Sequence, residues 1–530
     1  MDCVVPIFEV VGCSDESPCR IGLAMPNEQL SSSELSNEYD RRDLLNVHPP
    51  DWKNPEPVDR YSMLVIGAGP AGLATAVNAA KLGAKVAIVE RDRFGGACFN
   101  VGCIPSKTII RTARLYQEMR DAENFGAQVP TGISVDFPAV MERMRRVRAR
   151  MSRRVSAQRL SSAGVDVYFG EARFVAPDAA EVGGKRLRFK RALVSSGARP
   201  RLPSIPGIAE AGYLTNEDVF DLAECPPRLL VLGGGPLGCE LAQAFCRLGS
   251  QVSIVQNDPM FLGNEERDAA QILSDALARD GIGIHLNTEA VNVRMDGNQK
   301  IVDLVSADYK FSLTVDAILV GIGSAPNVER MNLEAACVKY DKADGIITND
   351  YLQTSNPRIY AAGDVCSEKK FPHIEAAAAE VVVRNALFWG RERLSVLAIP
   401  WCTYTDPEIA HIGLYVKEAR AKEIPVKTFT VMMSDVDRAI TDGEDEGFVK
   451  IHVREGTDEI LGATVAASHA GEMISEISLA MNAKIGLGAL ARVNHPYPTQ
   501  AQAIKMAADA YLATVHRPTR KWLQKQWLSH

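Results

Sequence analysis

Residues 61–90, YSMLVIGAGPAGLATAVNAAKLGAKVAIVE, carry the strongest fold signal in the sequence. An apolar run ends in glycines, a helical stretch follows, and a second apolar run closes the segment at Glu90. This order predicts a buried parallel strand, a helix and a second strand, which together form a β-α-β unit. The turn before the helix holds Gly67, Gly69 and Gly72. Glycines at this spacing allow a tight bend, the close approach of a pyrophosphate and tight helix packing.

The chemistry of this turn indicates a dinucleotide. The helix N-terminus supplies amide donors and the positive end of the helix dipole, and both attract phosphate. Glu90 ends the second strand about 20 residues later, where a carboxylate accepts hydrogen bonds from a ribose. A glycine triplet alone is a weak signal, but the strand, turn, helix, strand and glutamate together make it a strong one. We therefore predict a dinucleotide-binding domain here.

The same pattern returns at residues 228–256, RLLVLGGGPLGCELAQAFCRLGSQVSIVQ. Gly233, Gly235 and Gly238 repeat the spacing of the first turn, so a second nucleotide-binding domain is expected in the same chain. Gln256 stands at the end of the second strand, where a carboxylate would favour NAD and an arginine would favour NADP. Since neither is present, we expect NADPH to be accepted and slightly preferred over NADH.

Composition narrows the class of protein. The chain has 530 residues, a length that indicates three or four domains rather than a single core. A net charge of -7 gives no general attraction to nucleic acid or anionic membranes, and no apolar run is long enough to predict a membrane span. The N-terminus lacks the features of a signal peptide, so we expect a cytoplasmic protein. Most of the 11 cysteines are expected to be small buried residues.

Two polar regions, residues 1–60 and an arginine-rich run, are not predicted to be binding sites. Residues 1–60 are polar and broken by prolines, which predicts an irregular tail or a strap over the first domain. A run of eight arginines lies between Arg143 and Arg159. We interpret this run as the solvated face of a helix rather than a nucleic-acid patch, because no aromatic residues are interleaved with the arginines.

One pair of cysteines differs from the rest. The segment 95–107, GGACFNVGCIPSK, follows the first β-α-β unit and holds Cys98 and Cys103. Two cysteines five residues apart can lie on the first turns of a helix and close a small disulfide loop. A helix N-terminus lowers the pKa of a thiol, which suits a cysteine that exchanges or relays electrons. The alternative, two buried structural thiols, is disfavoured by the flanking glycines and the following Pro-Ser-Lys. We predict a redox-active disulfide.

This segment resembles the active-site stretch of the class I pyridine nucleotide–disulfide oxidoreductases, a family that includes dihydrolipoamide dehydrogenase, glutathione reductase and mercuric reductase. The similarity extends over about residues 61–515. The other segments that carry it are LVSSGARPRLP (193–203), GIGSAPN (321–327), TSNPRIYAAGDV (354–365), TDPEIAHIG (405–413) and AGEMISEISLA (470–480). The resemblance implies an α/β fold with two Rossmann-like domains, for FAD and NAD(P), and a C-terminal α+β dimerisation domain. It also implies a homodimer.

The domain order that the resemblance implies can be placed on the sequence. We expect an N-terminal extension (1–60), a first part of the FAD domain (61–205), an NAD(P) domain (206–329), a return to the FAD domain (330–395) and a dimerisation domain (396–530). From about residue 396 the sequence alternates strand-like runs such as FVKIHV with long helical stretches, which is typical of a separate α+β domain.

The resemblance also implies roles for four further residues. Gly197 and Asp364 resemble FAD-binding residues, with Asp364 at the ribityl chain. Lys107 and Glu240 resemble an ion pair beside the reactive flavin nitrogen, where a cation stabilises the developing reduced flavin and a carboxylate holds the lysine in place. The implied reaction passes hydride from NAD(P)H to FAD, and the flavin then reduces the disulfide through Cys103. Cys98 would become the outer thiolate that meets the substrate.

The sequence departs from the family near its C-terminus. Members that act on small disulfides carry His-Pro-Thr-x-x-Glu, in which the histidine exchanges protons with the thiols. The corresponding stretch here is NHPYPTQAQA (494–503), which puts Tyr497 at the histidine position and Gln502 at the glutamate position. A tyrosine with its usual pKa near 10 is a poor base at neutral pH. The proton shuttle is therefore lost, unless His495 takes it over.

Mercuric reductases resemble the chain at this point, with tyrosine in the histidine position. Cys98 and Cys103 as soft thiolates suit Hg(II) as transient ligands, and no structural metal site is expected. The sequence has neither the vicinal cysteine pair nor the Cys-x-x-Cys motif of that branch. The leading hypothesis is nevertheless a mercuric-reductase-like enzyme that acts on a thiol-bound acceptor. The alternatives are a dihydrolipoamide dehydrogenase-type or other disulfide reductase, and a non-catalytic flavin-binding subunit.

Overall fold

The computed structural model of the chain describes residues 37–129, 132–307, 309–367, 371–388 and 390–515. The predictions made for residues 1–36 and for the sequence beyond residue 515 lie outside these ranges. Strands and helices are numbered along the chain. They form two parallel sheets that carry the glycine-rich turns and one antiparallel sheet near the C-terminus.

The first sheet has seven strands. They are β1 (Tyr61–Ile66), β2 (Val86–Glu90), β3 (Val165–Phe169), β4 (Arg173–Ala176), β5 (Ala179–Val182), β6 (Lys185–Val194) and β18 (Ile359–Ala361). Strands β1, β2, β3, β6 and β18 pair in parallel, whereas β4 and β5 extend the sheet as an antiparallel pair. Because β18 pairs with β6, the chain returns after residue 330 to complete the sheet that it began at residue 61.

The helices around this sheet form two groups. The group that surrounds the first turn and the cysteines is α2 (Pro70–Lys81), α3 (Gly96–Asn100), α4 (Cys103–Arg120), α5 (Phe137–Ser152), α6 (Ala157–Ser162) and α10 (Pro372–Leu387). Helix α2 connects β1 to β2, begins at Pro70, where proline costs no hydrogen bond, and packs against α10. The second group, α7 (Ile208–Ala211), α8 (Pro236–Arg247) and α9 (Arg267–Arg279), belongs to the second unit.

The second unit combines a parallel and an antiparallel sheet. The parallel sheet orders its strands as β10 (Gly283–His285), β9 (Gln251–Val255), β8 (Arg228–Leu232) and β14 (Ala317–Val320). Beside it, β11 (Thr288–Asp296), β12 (Gln299–Ser306) and β13 (Lys310–Val315) form an antiparallel sheet. Two short pairs complete the region, β7 (Ala198–Pro200) with β15 (Ser324–Pro326) and β16 (Tyr340–Asp341) with β17 (Gly345–Ile346). The β7–β15 pair joins the chain segments that enter and leave the second unit.

The C-terminal unit is a five-stranded antiparallel sheet covered by helices. Its strand order is β19 (Trp401–Thr403), β20 (Glu408–Gly413), β23 (Ile460–Ala467), β22 (Phe448–Arg454) and β21 (Val426–Met432). The helices are α11 (Val416–Ala421), α12 (Asp437–Asp442), α13 (Ala470–Asn482), α14 (Leu487–Leu490) and α15 (Gln502–Val515). All residues of β23 are buried, because it lies inside the sheet and α13 packs on it. Together the three units confirm the predicted fold class.

The segment before β1 is more ordered than its composition predicts. Helix α1 (Glu38–Val47) begins after Asn37, whose side chain accepts a hydrogen bond from the Asp40 amide at 2.9 Å. The prediction of an irregular extension is therefore wrong for this helix. The chain that follows does form a strap, since Trp52 Nε1 donates to the Val167 carbonyl of β3 at 3.1 Å.

The partner of α1 is the arginine-rich helix α5. Arg148 is 5% exposed and donates to Asp40 at 2.9 Å and to the Asn100 carbonyl at 3.2 Å. Its guanidinium also lies 3.7 Å from Asp43. Arg143 donates to the Thr108 carbonyl of α4 at 3.0 Å. The interpretation of this run as a fully solvated face is wrong for these residues, because one face of α5 holds α1 and α4 in place.

Replacing Arg148 with alanine should lower the free energy of unfolding by about 3 kcal/mol, because the buried Asp43 carboxyl loses its ion pair and Asp40 keeps only Arg145, at 3.6 Å. Urea unfolding of the two proteins measures the difference. Arg150→Ala is the matched control, since Arg150 is exposed on the same helix, and it should change stability by less than about 0.5 kcal/mol. Equal effects of the two substitutions would show that α1 is not held by Arg148.

Candidate active site

Two adjoining cavities lie over the glycine-rich turns. The first, of about 620 Å³, is lined by most of the residues predicted for the first dinucleotide, namely Gly67, Gly69, Glu90, Gly197 and Asp364, and by Cys98 and Cys103. The second, of about 990 Å³, is lined by residues of the second turn, among them Gly233, Gly235 and Gln256. Gly102 and Asp364 line both cavities. The cysteine segment therefore lies where the two cavities meet.

The first turn is packed so tightly that it requires glycine. A Cβ on Gly67 would lie 2.2 Å from the Ser195 carbonyl oxygen, and a Cβ on Gly72 would lie 1.9 Å from the Gly67 carbonyl oxygen. Nothing lies within 4 Å of the position of a Cβ on Gly69, so the space above the helix N-terminus is open. The turn is also fixed by Glu90, which accepts a hydrogen bond from the Ala68 amide at 2.7 Å. Burial raises the pKa of Glu90.

The second turn is built in the same way with a different side chain. Gly238 packs against Gly233, and the space over Gly235 is open. Gln256 takes the place of Glu90, since its Oε1 accepts from the Gly234 amide at 2.8 Å. Its Nε2 donates to Asp258 Oδ2 at 2.8 Å. The Asp258 carboxylate is thus held at this edge of the second cavity. It lies two residues after Gln256, the position at which a carboxylate would have favoured NAD.

The two cysteines are close together, but they do not share a helix as predicted. Cys98 lies in α3 and Cys103 is the first residue of α4, with a break at Gly102, where a Cβ would lie 2.8 Å from the Ala97 carbonyl oxygen. The two side chains lie within hydrogen-bond distance of each other. The hydrogen bond from Cys98, followed by the charge of Lys107, holds the pKa of Cys103 below its usual value despite burial. The same hydrogen bond, with burial, raises the pKa of Cys98.

Lys107 and Glu240, which the resemblance to the family implies are an ion pair, meet across two domains. Lys107 lies one turn after Cys103 on α4, and its Nζ donates to Glu240 Oε2 of α8 at 2.7 Å. Burial lowers the pKa of Lys107, but the charges of Glu240 and Cys103 outweigh that effect and leave it raised. A third residue completes this group. The Tyr404 amide donates to Glu240 Oε1 at 2.8 Å, and the Lys107 ammonium lies 4.8 Å from the centre of the Tyr404 ring.

The residues of the C-terminal loop are placed apart from these cavities. Tyr497 is 72% exposed and donates to Asp437 Oδ2 at 2.9 Å, which raises the pKa of its hydroxyl. His495 Nε2 lies 2.9 Å from Glu476 Oε2 on α13, while its Nδ1 is buried without a hydrogen-bond partner among the described residues. The Nδ1 of His495 is thus not presented at the surface of the protomer, and its Nε2 faces Glu476. Gln502 begins α15.

Sequence reasoning missed three residues at this site. Tyr404 joins the Lys107–Glu240 pair through its backbone and ring, Asp258 lines the second cavity, and Glu375 of α10 lines the first. The only signal for Asp258 was a carboxylate close after the second strand. Tyr404 and Glu375 come from segments that reach the site only through the tertiary fold, so no local motif marks them.

Comparison with known proteins places the chain in a family. Residues 61–380 match the model of the pyridine nucleotide-disulphide oxidoreductases, and residues 399–508 match the dimerisation domain of the same family. The chain belongs to this family. Its members bind FAD and NAD(P)H and act as flavoprotein disulfide oxidoreductases, and the dimerisation domain supports a homodimer. The glycine-lined space over both turns fits these two dinucleotides.

None of the helices in the described ranges has the length and apolar character needed to cross a membrane.

The relatives differ in their substrates. The chain is 33% identical to mercuric reductase of Staphylococcus aureus over 448 residues, which cover 84% of this chain and 82% of the relative. It is 32% identical to dihydrolipoyl dehydrogenase of Mycoplasma pneumoniae, covering 83% of this chain and 96% of the relative. Among solved structures, the HOCl-induced flavoprotein disulfide reductase RclA of Escherichia coli superposes with a TM-score of 0.75 at 26% identity, covering 85% and 99% of the two chains. RclA has also been solved as a Cu(II) complex.

Proposed function

We propose that the protein is an NAD(P)H-dependent flavoenzyme that reduces a thiol-bound soft metal ion, with Hg(II) reduced to Hg(0), through the Cys98–Cys103 pair. The observation that carries this proposal is an asymmetry of the site. The side that receives electrons has a complete ion pair, Lys107 with Glu240 at 2.7 Å. The acceptor side lacks the base that a disulfide reductase needs, because the histidine position implied by the family resemblance is taken by Tyr497, whose pKa is raised.

Each residue of the site has a separate role in this reaction. FAD, when bound, supplies the two-electron relay between the nicotinamide and the cysteines. Lys107 holds a positive charge beside Cys103 and stabilises the negative charge that develops there, while Glu240 fixes the lysine in place. Cys98 and Cys103 bind the metal as soft thiolates. Over one cycle NAD(P)H gives two electrons to the thiol-bound Hg(II), and the products are NAD(P)+, a proton, Hg(0) and the two thiolates released from the metal.

Several findings support a metal over a disulfide as the acceptor. Mercuric reductases are among the relatives described above, and RclA, a flavoprotein disulfide reductase, has been solved as a Cu(II) complex. Reduction of a metal ion needs no proton transfer to a leaving thiol, so the loss of the histidine base is tolerated.

The second candidate, a dihydrolipoamide dehydrogenase-type enzyme, is favoured by one contact, the His495–Glu476 pair. The buried Nδ1 of His495 argues against its use as a base.

Steady-state oxidation of NADH and NADPH with different acceptors tests the proposal. We expect turnover with a Hg(II)-thiolate to exceed turnover with lipoamide or glutathione disulfide by at least about a hundredfold, the range that a general base contributes to thiol exchange. Tyr497→His should raise the activity with lipoamide, whereas Tyr511→His, on α15, serves as the control. Rapid NAD reduction by dihydrolipoamide in the unaltered protein would contradict the proposal.

The preference between NADH and NADPH gives a separate prediction. We propose that NADH is the better donor, because the Asp258 carboxylate held by Gln256 repels the 2′-phosphate of NADPH. This reverses the slight preference for NADPH expected from the sequence. The ratio of kcat/KM for NADH over NADPH should be about tenfold, and Asp258→Asn should bring it close to one. Asp296→Asn, at the end of β11, is the control. A preference for NADPH in the unaltered protein would contradict this assignment.

A further inference from the structure

A carboxylic acid lies inside the first cavity at the place where phosphate is expected. Glu375 is on the first turn of α10 and lines the cavity together with Gly69 and Pro70. Its Oε2 accepts a hydrogen bond from the Ala71 amide at 3.3 Å. Ala71 is the second residue of α2, so this amide is among the free donors at the helix N-terminus that bind a pyrophosphate.

The carboxyl group is held there from a second direction. Gly363 has a positive φ of 84°, and a Cβ at this residue would lie 3.3 Å from the carboxyl carbon of Glu375. The neighbouring Asp364, which is expected to bind the ribityl chain, shares a side-chain hydrogen bond with Glu375. The Glu375 carboxyl therefore engages two groups that FAD needs, the amide of Ala71 and the side chain of Asp364.

We propose that Glu375 acts as an internal substitute for the FAD phosphate, so that flavin binding must displace its carboxylate from the Ala71 amide and from Asp364. A carboxylate and a phosphate compete for the same helix N-terminus because both are anions that accept from the free amides. A carboxylate that stayed in place would also repel the two negative charges of the pyrophosphate. Glu375 thereby weakens FAD binding and stabilises the flavin-free cavity.

The surroundings of Glu375 determine when this competition is strong. Burial and the neighbouring Asp364 raise the pKa of Glu375 to about 8. Besides Asp364, the titratable groups that face it are Cys366, after β18, and Cys98 and Cys103, from α3 and α4. The group is neutral below its pKa and anionic above it. The competition with phosphate is consequently weak at pH 6.5 and strong at pH 9.

The dissociation constant of FAD tests this inference with a readout that does not depend on turnover. The holoenzyme is diluted in steps, and released FAD is followed by its fluorescence at pH 6.5 and pH 9. For the unaltered protein, affinity should fall about tenfold at pH 9, one unit above the pKa of Glu375. Glu375→Gln, which keeps the shape of the side chain, should match the unaltered protein within about twofold at pH 6.5 and bind FAD about tenfold more tightly at pH 9.

Two more variants complete the test. Glu375→Ala removes the competing group altogether and should bind FAD more tightly than the unaltered protein at pH 9, with little difference at pH 6.5. Glu380→Gln, on the same helix but not in the cavity lining, should behave as the unaltered protein does. Weaker FAD binding by Glu375→Gln or Glu375→Ala would show that Glu375 supports the flavin and would overturn the inference. Equal affinities of Glu375→Gln and the unaltered protein at both pH values would overturn it as well.

Discussion

Serine in place of Cys103 should lower the rate of acceptor reduction by at least about a thousandfold and leave FAD bound. Cys103 is the residue whose pKa is lowered, by the hydrogen bond from Cys98 and the charge of Lys107, so it supplies the thiolate next to the electron donor. The glycine-rich turn and Asp364 belong to other segments of the cavity and are untouched by this change. Stopped-flow kinetics with NADH and a Hg(II)-thiolate measures the loss.

The companion variant Cys98→Ser distinguishes the two thiols. It should lose acceptor turnover to a similar extent, because the outer group that meets the acceptor is gone. The serine hydroxyl can still donate to Cys103, so the Cys103 thiolate and its long-wavelength absorbance against FAD should persist. Cys225→Ser, a half-buried cysteine bonded to Ser250, is the control and should keep full activity. Retention of turnover by Cys103→Ser would contradict the assignment.

Removal of the charge on Lys107 is expected to have the next largest effect. Lys107→Met should slow the reduction of the bound FAD by NADH by about a hundredfold, the cost of losing one preorganised electrostatic group. The reason is geometric, since the ammonium is fixed between Glu240 Oε2 at 2.7 Å and the Tyr404 ring at 4.8 Å. Rapid-reaction spectroscopy at the flavin absorbance measures this step alone.

The partner of the lysine gives an independent check. Glu240→Gln keeps a hydrogen-bond acceptor for Lys107 and should cost only about tenfold, because the lysine charge remains. Lys81→Met, at the exposed end of α2, should have no effect on the same step. If Lys107→Met and Lys81→Met reduced FAD at the same rate, the ion pair would have a structural role only.

The parts of the site that could be predicted from the sequence are the local ones. The two glycine-rich turns were predicted because their spacing and the flanking strands and helix lie within one β-α-β unit, although Gly67 is also constrained by the distant Ser195 carbonyl. Cys98 and Cys103 were also predicted from one local segment, 95–107. The break at Gly102, which places them in two different helices, was not predicted. The meeting of Lys107 with Glu240, 133 residues apart, could be expected only from the resemblance to a family.

The parts that could not be predicted depend on distant segments. The hydrogen bond between Glu375 and Ala71 joins residues 304 positions apart, and nothing in FPHIEAAAAE marks a residue of a phosphate site. The arginines of α5 have the composition of a solvated surface, and only the position of Asp40, 108 residues before Arg148, turns one face into an interface. Charge patterns identify a helix face but not the segment that covers it.

An anaerobic titration of the holoenzyme with NADH measures directly whether Cys98 and Cys103 are a redox pair linked to FAD. Alkylation of the thiols before and after the titration, followed by peptide mass spectrometry, identifies the cysteines that change. We expect reducing equivalents to be consumed for both the FAD and a disulfide, and Cys98 and Cys103 to become alkylated only after reduction. If reducing equivalents were consumed for the FAD alone, and both cysteines were alkylated equally before and after reduction, Cys98 and Cys103 would not be a redox pair.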